Sequence, residues 1–241
     1  MIRKYFLVFL LSFNLWSQEN TFKVDYDLKV NFTDVTNYKS VLYVNNAESI
    51  FLWNNPLEDY KMTTEGTNTK INIILSDSIG SFNYRNFATG TLYSRVLHIS
   101  ESSFIVKENI PDIEWEILTE HKIINNFNCQ KAITNFRGRE YTVWFTNEIP
   151  ISVGPWKLAG LPGLMVYGYD STYTFEFNLT KLSKDTYQIN KITNDADVIS
   201  LDEYAEISKS YTDDFVKKLK SKLPRGATIK VDKMKGLEIF D

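Results

Sequence analysis

After the first twenty residues, apolar and polar residues alternate strictly. Between Thr21 and Phe32, apolar side chains occupy every second position, and polar or charged side chains occupy the positions between them. A period of two is typical of a β-strand with one buried face. At about 3.3 Å per residue, this strand would be about 40 Å long. The pattern therefore predicts a long strand in a broad, curved sheet.

Turn signals separate further short apolar runs along the chain. Asn45-Asn46, Thr89-Gly90, Asn125-Asn126 and Arg137-Gly138 each lie between two such runs. Asn and Gly tolerate the positive φ that tight hairpins require. Many short strands with turn signals at regular spacing indicate an antiparallel sheet. We therefore predict a mainly β fold: a large, curved antiparallel sheet that forms an open or half barrel.

A change of period marks one helix near the end of the sequence. Ser200 and Glu203 have the spacing of a capping box, and Pro224 ends the periodic segment. Apolar residues fall at steps of three and four, at Tyr204, Ile207, Tyr211, Phe215 and Leu219. This stripe predicts a C-terminal helix over 201–223 that packs on the sheet.

Two segments carry weaker patterns. Residues 57–69 are polar and have no period, which predicts a loop, and Thr186–Thr193 alternates weakly, which predicts a short strand. Neither segment shows the composition shift of a linker between domains. Residues 18–241 are therefore predicted to form a single β domain.

The strand pattern breaks most strongly within Trp144–Met165. This stretch holds three of the six prolines and three of the ten glycines. Proline fixes φ and glycine permits turns that other residues disfavour. The segment can carry the chain round a corner between two parts of the sheet. It can equally form a preorganised recognition loop, which would present Trp156, Leu158, Leu161, Pro162 and Leu164.

The same stretch carries a family resemblance. Gly160-Leu161-Pro162-Gly163-Leu164-Met165 resembles the signature of the GLPGLI family, which usually ends in Ile where Met165 stands. Upstream, Cys129–Ala132, Phe136–Tyr141 and Trp144–Thr146 are similar to the family pattern in the same order. The resemblance implies one of the Porphyromonas gingivalis-type exported proteins of Bacteroidetes-like bacteria, a family without a settled activity.

Residues 1–17 predict a secretory signal peptide. Arg3 and Lys4 precede an apolar core over Tyr5–Phe13, and Ser17 is a small residue at a suitable cleavage point. The core is too short to anchor the chain in a bilayer. No later stretch reaches the roughly 18 apolar residues of a membrane helix. We therefore expect an exported protein, periplasmic or secreted, with no membrane span in the mature chain.

The charge balance argues against nucleic acid as a partner. The formal net charge of the whole chain is −3, and losing Arg3 and Lys4 with the leader makes it two charges more negative. Proteins that bind phosphate backbones need a positive surface.

Residue types that support catalysis or metal binding are scarce. Cys129 is the sole cysteine, and His98 and His121 are the two histidines. No HxH, HExxH or CxxC spacing, phosphate loop or dinucleotide fingerprint is present. We expect no catalytic set, no metal site and no cofactor. The alternative is a hydrolase or other enzyme with a site assembled from His98, His121 or acids distant in sequence.

A Cys/His dyad is disfavoured by the expected strand register. If Ile124 and Phe127 flank the Asn125-Asn126 turn, His121 lies opposite Gln130. Cys129 is then one position out of step with His121, so the two side chains point to opposite faces of the sheet. The alternation around Cys129 predicts a buried thiol.

Arg137 and Arg139 bracket Gly138 at a predicted turn. They can form an exposed hairpin tip, or they can contact an anion or carboxylate, since arginine binds such groups through two parallel hydrogen bonds.

These observations favour a non-enzymatic periplasmic binding or accessory protein. Its outline is similar to that of the LolA-like lipoprotein carriers, a likeness of fold alone. It would hold an apolar ligand, or it would dock on an envelope partner such as an outer-membrane transporter. An enzyme and a purely structural envelope subunit are the other hypotheses.

Overall fold

The computed structural model describes residues 21–31, 35–54, 60–65, 68–73, 79–97, 103–190, 196–222 and 237–240. The strands are β1 (Thr21–Asn31), β2 (Val35–Val44), β3 (Glu48–Asn54), β4 (Tyr60–Glu65), β5 (Asn68–Ile73), β6 (Ser81–Asn86), β7 (Thr91–Leu97), β8 (Ser103–Asn109), β9 (Glu116–Ile124), β10 (Phe127–Phe136), β11 (Arg139–Thr146), β12 (Leu164–Asp170), β13 (Phe175–Asp185) and β14 (Asp197–Ser200), and the helix is α1 (Leu201–Lys222). The predicted signal peptide and His98 lie outside the described residues.

Twelve strands form one sheet in the order β14-β8-β7-β6-β3-β2-β1-β13-β12-β11-β10-β9. Neighbouring strands are antiparallel except β14 and β8, which are parallel. The sheet is therefore mixed, and the single parallel pair departs from the antiparallel prediction. Among the described residues, β14 and β9 lie at opposite ends of this order, so the sheet is open. The prediction of a large, open, mainly β sheet is confirmed.

The long strand predicted from alternation is β1, which lies in the middle of the sheet between β2 and β13. Its apolar side chains on one face, Val24, Tyr26, Leu28 and Val30, are buried. The alternating pattern arises because this face lines the main core while the other face is partly exposed.

The hairpin turns match the sequence signals. Asn125 and Asn126 have φ of 51° and 66°, and Arg137 and Gly138 have φ of 52° and 72°. Two consecutive residues with positive φ form the turn whose twist matches that of the flanking strands. At Gly138, a Cβ would lie 2.7 Å from the Cβ of Ile239, so glycine is also required for space.

Two weaker predictions are wrong. Part of the predicted loop at 57–69 forms β4 and the start of β5, which make a separate two-stranded ribbon. Part of the predicted strand, residues 186–190, has no strand structure, and residues 191–193 lie outside the described part of the chain. The short parallel strand β14 instead precedes the helix.

The helix begins at the predicted capping box. The backbone N–H of Glu203 donates to Ser200 Oγ at 3.2 Å, and Glu203 Oε2 accepts the backbone N–H of Ser200 at 2.7 Å. Tyr204 packs against Phe240 with ring centroids 5.7 Å apart. The described side chains of α1 are half-buried or exposed, and none is fully buried. Of the predicted apolar stripe, Tyr204 and Ile207 are half-buried, and the side chains of Tyr211, Phe215 and Leu219 lie outside the described part of the structure.

Among the described residues, no helix combines the length and apolar character needed to cross a membrane.

Candidate functional site

The Gly/Pro-rich connection between β11 and β12 folds back on itself. We call residues 147–163 the plug. The N–H of Gly154 donates to the carbonyl of Leu158 at 3.0 Å, and the N–H of Gly160 donates to the carbonyl of Ser152 at 2.8 Å. Plug residues do not form a strand of the sheet, and these hydrogen bonds within the plug satisfy part of their backbone. The plug can therefore be buried without regular secondary structure.

The plug lies in the main core. The Trp156 ring centroid is 5.8 Å from those of Phe136 on β10 and Phe175 on β13. Four of the five residues predicted to form a recognition loop are buried, namely Trp156, Leu158, Leu161 and Leu164. The fifth, Pro162, is exposed. The apolar side chains of the plug therefore pack inside the protein, and any contact with a partner would involve its exposed residues.

The plug also bonds to the other half of the sheet. Arg85 on β6 donates from Nη2 to the carbonyl of Trp156 at 2.9 Å and to that of Leu158 at 3.3 Å. Lys157 Nζ lies 2.6 Å from Glu108 Oε1 on β8. Adjacent plug residues thus contact strands from both halves of the sheet.

These contacts require a strongly curved sheet. Arg137, in the turn after β10, pairs directly with Glu108 on β8. In the pairing order β8 and β10 are nine strands apart, which is about 43 Å along a flat sheet at about 4.8 Å per strand. The sheet must curl until its two halves meet, and the plug fills the space between them. The predicted curvature is thereby confirmed.

Close approach of the plug to β11 depends on Gly163. A Cβ at this position would lie 2.0 Å from the backbone oxygen of Thr146, the last residue of β11. Such a contact cannot be relieved by turning a side chain, so the backbone itself would have to move.

A buried network of charges surrounds the plug. Lys157, 2% exposed, pairs with Glu108 and with Glu238. Arg137 pairs with Glu108, and its Nε is 3.9 Å from Glu238 Oε2. The network ties together β8, the β10–β11 turn, the plug and residue 238.

Arg139 belongs to a second buried pair. Its Nη1 lies 2.9 Å from Oδ2 of Asp170, and both side chains are almost fully buried. Burial by itself raises the pKa of Asp170. Hydrogen bonds from Thr172 and the N–H of Phe175, together with Arg139, outweigh that effect and lower the pKa below its usual range. Both arginines of the predicted hairpin tip therefore contact carboxylates of this chain.

Residues 237–240, which we call the strap, cross the β10–β11 turn. The N–H of Ile239 donates to the carbonyl of Arg137 at 3.1 Å. Arg139 Nε donates to the carbonyl of Leu237 at 2.9 Å. With Glu238 paired to Lys157, the strap covers the charged network.

An open cleft of about 1120 Å³ separates α1 from the strap and the β10–β11 hairpin. Its apolar lining includes Pro111, Phe136, Ile199, Ala205, Ile207, Ile239 and Phe240. Its charged lining comprises Asp112, Asp202, Glu203, Glu206, Arg137 and Lys209. Acidic side chains outnumber basic ones by four to two, and both basic ones are already paired with glutamates. The cleft therefore has apolar walls, and its lining carries more acidic than basic side chains.

The register around Asn125-Asn126 is as predicted. Gln130 lies opposite His121, and Cys129 opposite Lys122. Cys129 is buried, as predicted, and burial raises the pKa of its thiol to about 11. A thiol that is protonated at neutral pH is a poor nucleophile. His121 is exposed on the edge strand β9.

A second, small hollow of about 130 Å³ lies beside His121. Its lining includes His121, Asn128 and Glu148. Glu148 Oε1 accepts the backbone N–H of Asn128 at 3.0 Å, and His121 Nδ1 lies 2.9 Å from the carbonyl oxygen of Thr119. The lining of the hollow thus includes both an imidazole and a carboxylate. Across the described residues, no group of three or more His, Cys, Asp or Glu is placed to hold a metal ion.

The residues around the plug include three that the sequence did not single out: Glu108 and Glu238 of the charged network, and Arg85, which bonds to the plug backbone. Charged residues in strands usually face solvent, but in the structure both faces of β6 are buried. No pattern in the sequence marks Arg85 as a buried residue.

The family model described as "Protein of unknown function (Porph_ging)" matches residues 137–167. The resemblance to the GLPGLI family is confirmed over these residues. The Porph_ging segment runs from the β10–β11 turn through the plug into β12. It therefore contains both arginines of the turn and Lys157, while their carboxylate partners Glu108, Asp170 and Glu238 lie outside it.

Solved structures show a similar fold. PNGF-II in the P21 space group is matched with a TM-score of 0.50 and 14% identity, over 78% of this chain and 33% of that chain. PNGF-II in the C2 space group is matched with a TM-score of 0.49 and 16% identity, over 80% and 32% of the two chains. The chain spans about a third of the length of PNGF-II. At this identity the likeness concerns the fold alone. No curated protein matches the sequence.

Proposed function

We propose that this chain is an exported, non-enzymatic binding protein that docks on a partner of the cell envelope through the cleft beside α1. One observation carries this proposal: the plug fills the inside of the curved sheet, whereas the cleft is open to solvent. The predicted signal peptide and the family resemblance support the exported location.

The filled interior favours a protein partner over an apolar ligand held inside the sheet. A lipid carrier of the predicted outline would need free space on the inner face. Trp156 and Leu161 occupy that face and are 3% and 0% exposed. An apolar ligand would therefore have to displace the plug, together with the hydrogen bonds from Arg85 to its carbonyls.

The lining of the cleft defines the chemistry of the partner. Apolar side chains on both walls can bury an apolar segment, and burial of apolar area is the main source of affinity at such surfaces. The acidic balance favours basic residues beside that segment, because complementary charge speeds association and selects partners. We therefore propose a partner segment with apolar residues flanked by Lys or Arg, presented by an envelope protein such as an outer-membrane transporter.

The residues predicted from the sequence take different parts in this proposal. Arg137 lines the cleft directly, and Pro162 is exposed on the plug. The buried Trp156 acts indirectly, because it packs against Phe136 on β10, part of the hairpin that forms one wall.

The test compares two matched substitutions. Ala205→Arg places a long cation in the cleft, and Val198→Arg places the same side chain on β14 outside it, where Val198 is 56% exposed. Ala and Arg both favour helix, so α1 should persist. The chains would be purified gently from the periplasm and weighed by native mass spectrometry. We expect a co-purifying protein with the wild type and Val198→Arg but not with Ala205→Arg. A partner retained by Ala205→Arg, a bound lipid, or bare chains throughout would contradict the proposal.

The hollow beside His121 supports a second candidate, a hydrolase. A histidine and a carboxylate in one hollow are the residue types of general acid–base catalysis. If the mature protein turns over a substrate in an activity screen, His121→Ala should abolish that turnover. Turnover that survives His121→Ala but not His98→Ala would place the chemistry elsewhere.

A further inference from the structure

Arg85 is a buried cation with unused hydrogen-bond donors. It is 0% exposed, and its Nη2 donates to two plug carbonyls. Its Nε and Nη1 have no hydrogen-bond partner among the described residues. Buried polar groups are nearly always paired, so two free donors on one guanidinium call for an explanation.

Next to Arg85 lies Ser49, a second buried side chain with a polar atom that has no hydrogen-bond partner among the described residues. Ser49 on β3 lies directly opposite Arg85 on β6, so both side chains leave the same face of the sheet. Ser49 is also 0% exposed, and within the described part of the chain its hydroxyl has no partner either. Two side chains thus offer unpaired donors at one place on the inner face.

Asn83 adds a third donor to this place. It precedes Arg85 by two residues and shares its face, and its amide nitrogen is 2.8 Å from Ser94 Oγ. The hydroxyl of Ser94 can donate as well as accept. The side-chain amide of Asn83 can therefore be rotated by 180° and still bond to Ser94. In that orientation an N–H donor occupies the position of Oδ1, which has no hydrogen-bond partner among the described residues.

The buried charges of this region do not balance. The cations around the plug are Arg85, Arg137, Arg139 and Lys157, and the anions are Glu108, Asp170 and Glu238. One positive charge is in excess. Arg85 is the cation without a hydrogen-bonded carboxylate. Burial lowers the pKa of Arg85 to about 10, and the charge of Glu108 opposes that shift, so Arg85 stays protonated at neutral pH. Glu108 is itself paired with Arg137 and Lys157, so the region still lacks one negative charge. A buried charge without a full counter-charge is unfavourable, and a bound anion would reduce that cost.

We propose that Arg85 and Ser49, with Asn83, bind a small monovalent anion of the halide class beneath the plug. Donors from a guanidinium, a hydroxyl and an amide suit an anion, and its charge balances the excess cation. All three side chains are buried, and Arg85 is bonded to the backbone of residues 156 and 158, which favours a small anion over a larger organic one. The anion would join β3 and β6 to the plug. This inference does not depend on the proposed function.

The first experiment measures thermal unfolding of the mature chain in chloride and in gluconate at equal ionic strength. Because an anion bound only to the folded state stabilises it by mass action, tenfold excess over Kd raises the folded-to-unfolded ratio about elevenfold. We expect the melting temperature to rise with chloride and to saturate. Arg85→Met should remove this dependence, and Lys39→Met, which removes a cation whose side chain is 89% exposed, should retain it. Equal melting temperatures of the wild type in both salts would overturn the proposal.

A second experiment needs no variant and therefore covers the case in which Arg85→Met does not fold. Crystals of the wild type grown with bromide would be measured at the bromine absorption edge. We expect an anomalous peak within hydrogen-bond distance of Arg85 Nε or Nη1. Density for water alone at that place would contradict the proposal.

Discussion

In this protein, regular secondary structure and burial do not go together, as a comparison of the plug with α1 shows. The plug has no strand or helix of its own, yet its apolar side chains are in the centre of the core. The helix has regular structure and a capping box, yet its described side chains, among them Tyr204 and Ile207, are half-buried or exposed. The plug is bonded to strands in both halves of the sheet, whereas the described side chains of α1 contact the strap, as Tyr204 does through Phe240.

This difference assigns the two regions separate tasks. The plug fixes the curvature of the sheet, because it bonds to both halves at once. The helix forms one wall of an open cleft, where its half-buried and exposed side chains can contact a partner. Substitutions in the plug should therefore affect stability, and substitutions on α1 should affect binding.

The largest expected effect is that of Trp156→Ala. Removing a buried indole that touches Phe136 and Phe175 leaves a cavity, and such changes cost about 3–5 kcal/mol in free energy of unfolding. Tyr204→Ala on α1 is the matched change and should cost about 1 kcal/mol or less. Urea denaturation of the two variants checks the comparison. Equal losses would mean that the plug is no better integrated than the helix.

Gly163→Ala should have the next largest effect, about 3 kcal/mol, because the added Cβ meets the backbone of Thr146 at 2.0 Å. Gly90→Ala is the control. Its Cβ has open space around it, so only the positive φ of 63° is unfavourable. Thermal unfolding should rank Gly163→Ala well below Gly90→Ala, and the reverse order would contradict the close packing of the plug on β11.

The pair of Asp170 and Arg139 predicts a smaller effect that depends on pH. Because the folded protein lowers the pKa of Asp170, this carboxylate contributes stability above its unfolded pKa of about 3.9. That contribution is lost as pH falls through the folded value. Asp170→Asn should reduce stability at neutral pH and flatten the loss of stability in acid. Urea midpoints from about pH 7 down to about pH 3 measure both. A variant with the acid dependence of the wild type would show that other groups control it.

The smallest expected effect is that of Ser200→Ala, which removes the cap of α1. Loss of such a cap costs a helix about 1 kcal/mol, and the cost to global stability should be lower because α1 is peripheral. Helix fraying, seen as faster amide exchange in the first turn, should be the main change. A large fall in global stability would show that α1 is more deeply coupled to the sheet.

Sequence patterns were sufficient to predict those elements whose structure is determined by neighbouring residues in the chain. The alternation of β1, the turn at Asn125-Asn126, the capping box at Ser200 and the register of His121 could all be predicted. The position of the plug could not, because glycines and prolines show that the chain turns but not where it packs. Arg85 escaped prediction since β6 is buried on both faces, which alternation alone cannot reveal. The charged network joins residues distant in sequence, so no local pattern contains it.

Amide hydrogen exchange on the wild-type protein tests the central claim most directly. If the plug is an integral part of the core, the hydrogen-bonded amides of Gly154 and Gly160 should exchange only through global unfolding. The amides of α1 should exchange through smaller, local openings at a lower free energy. Plug amides that exchange as fast as those of α1, with β1 still protected, would contradict the account.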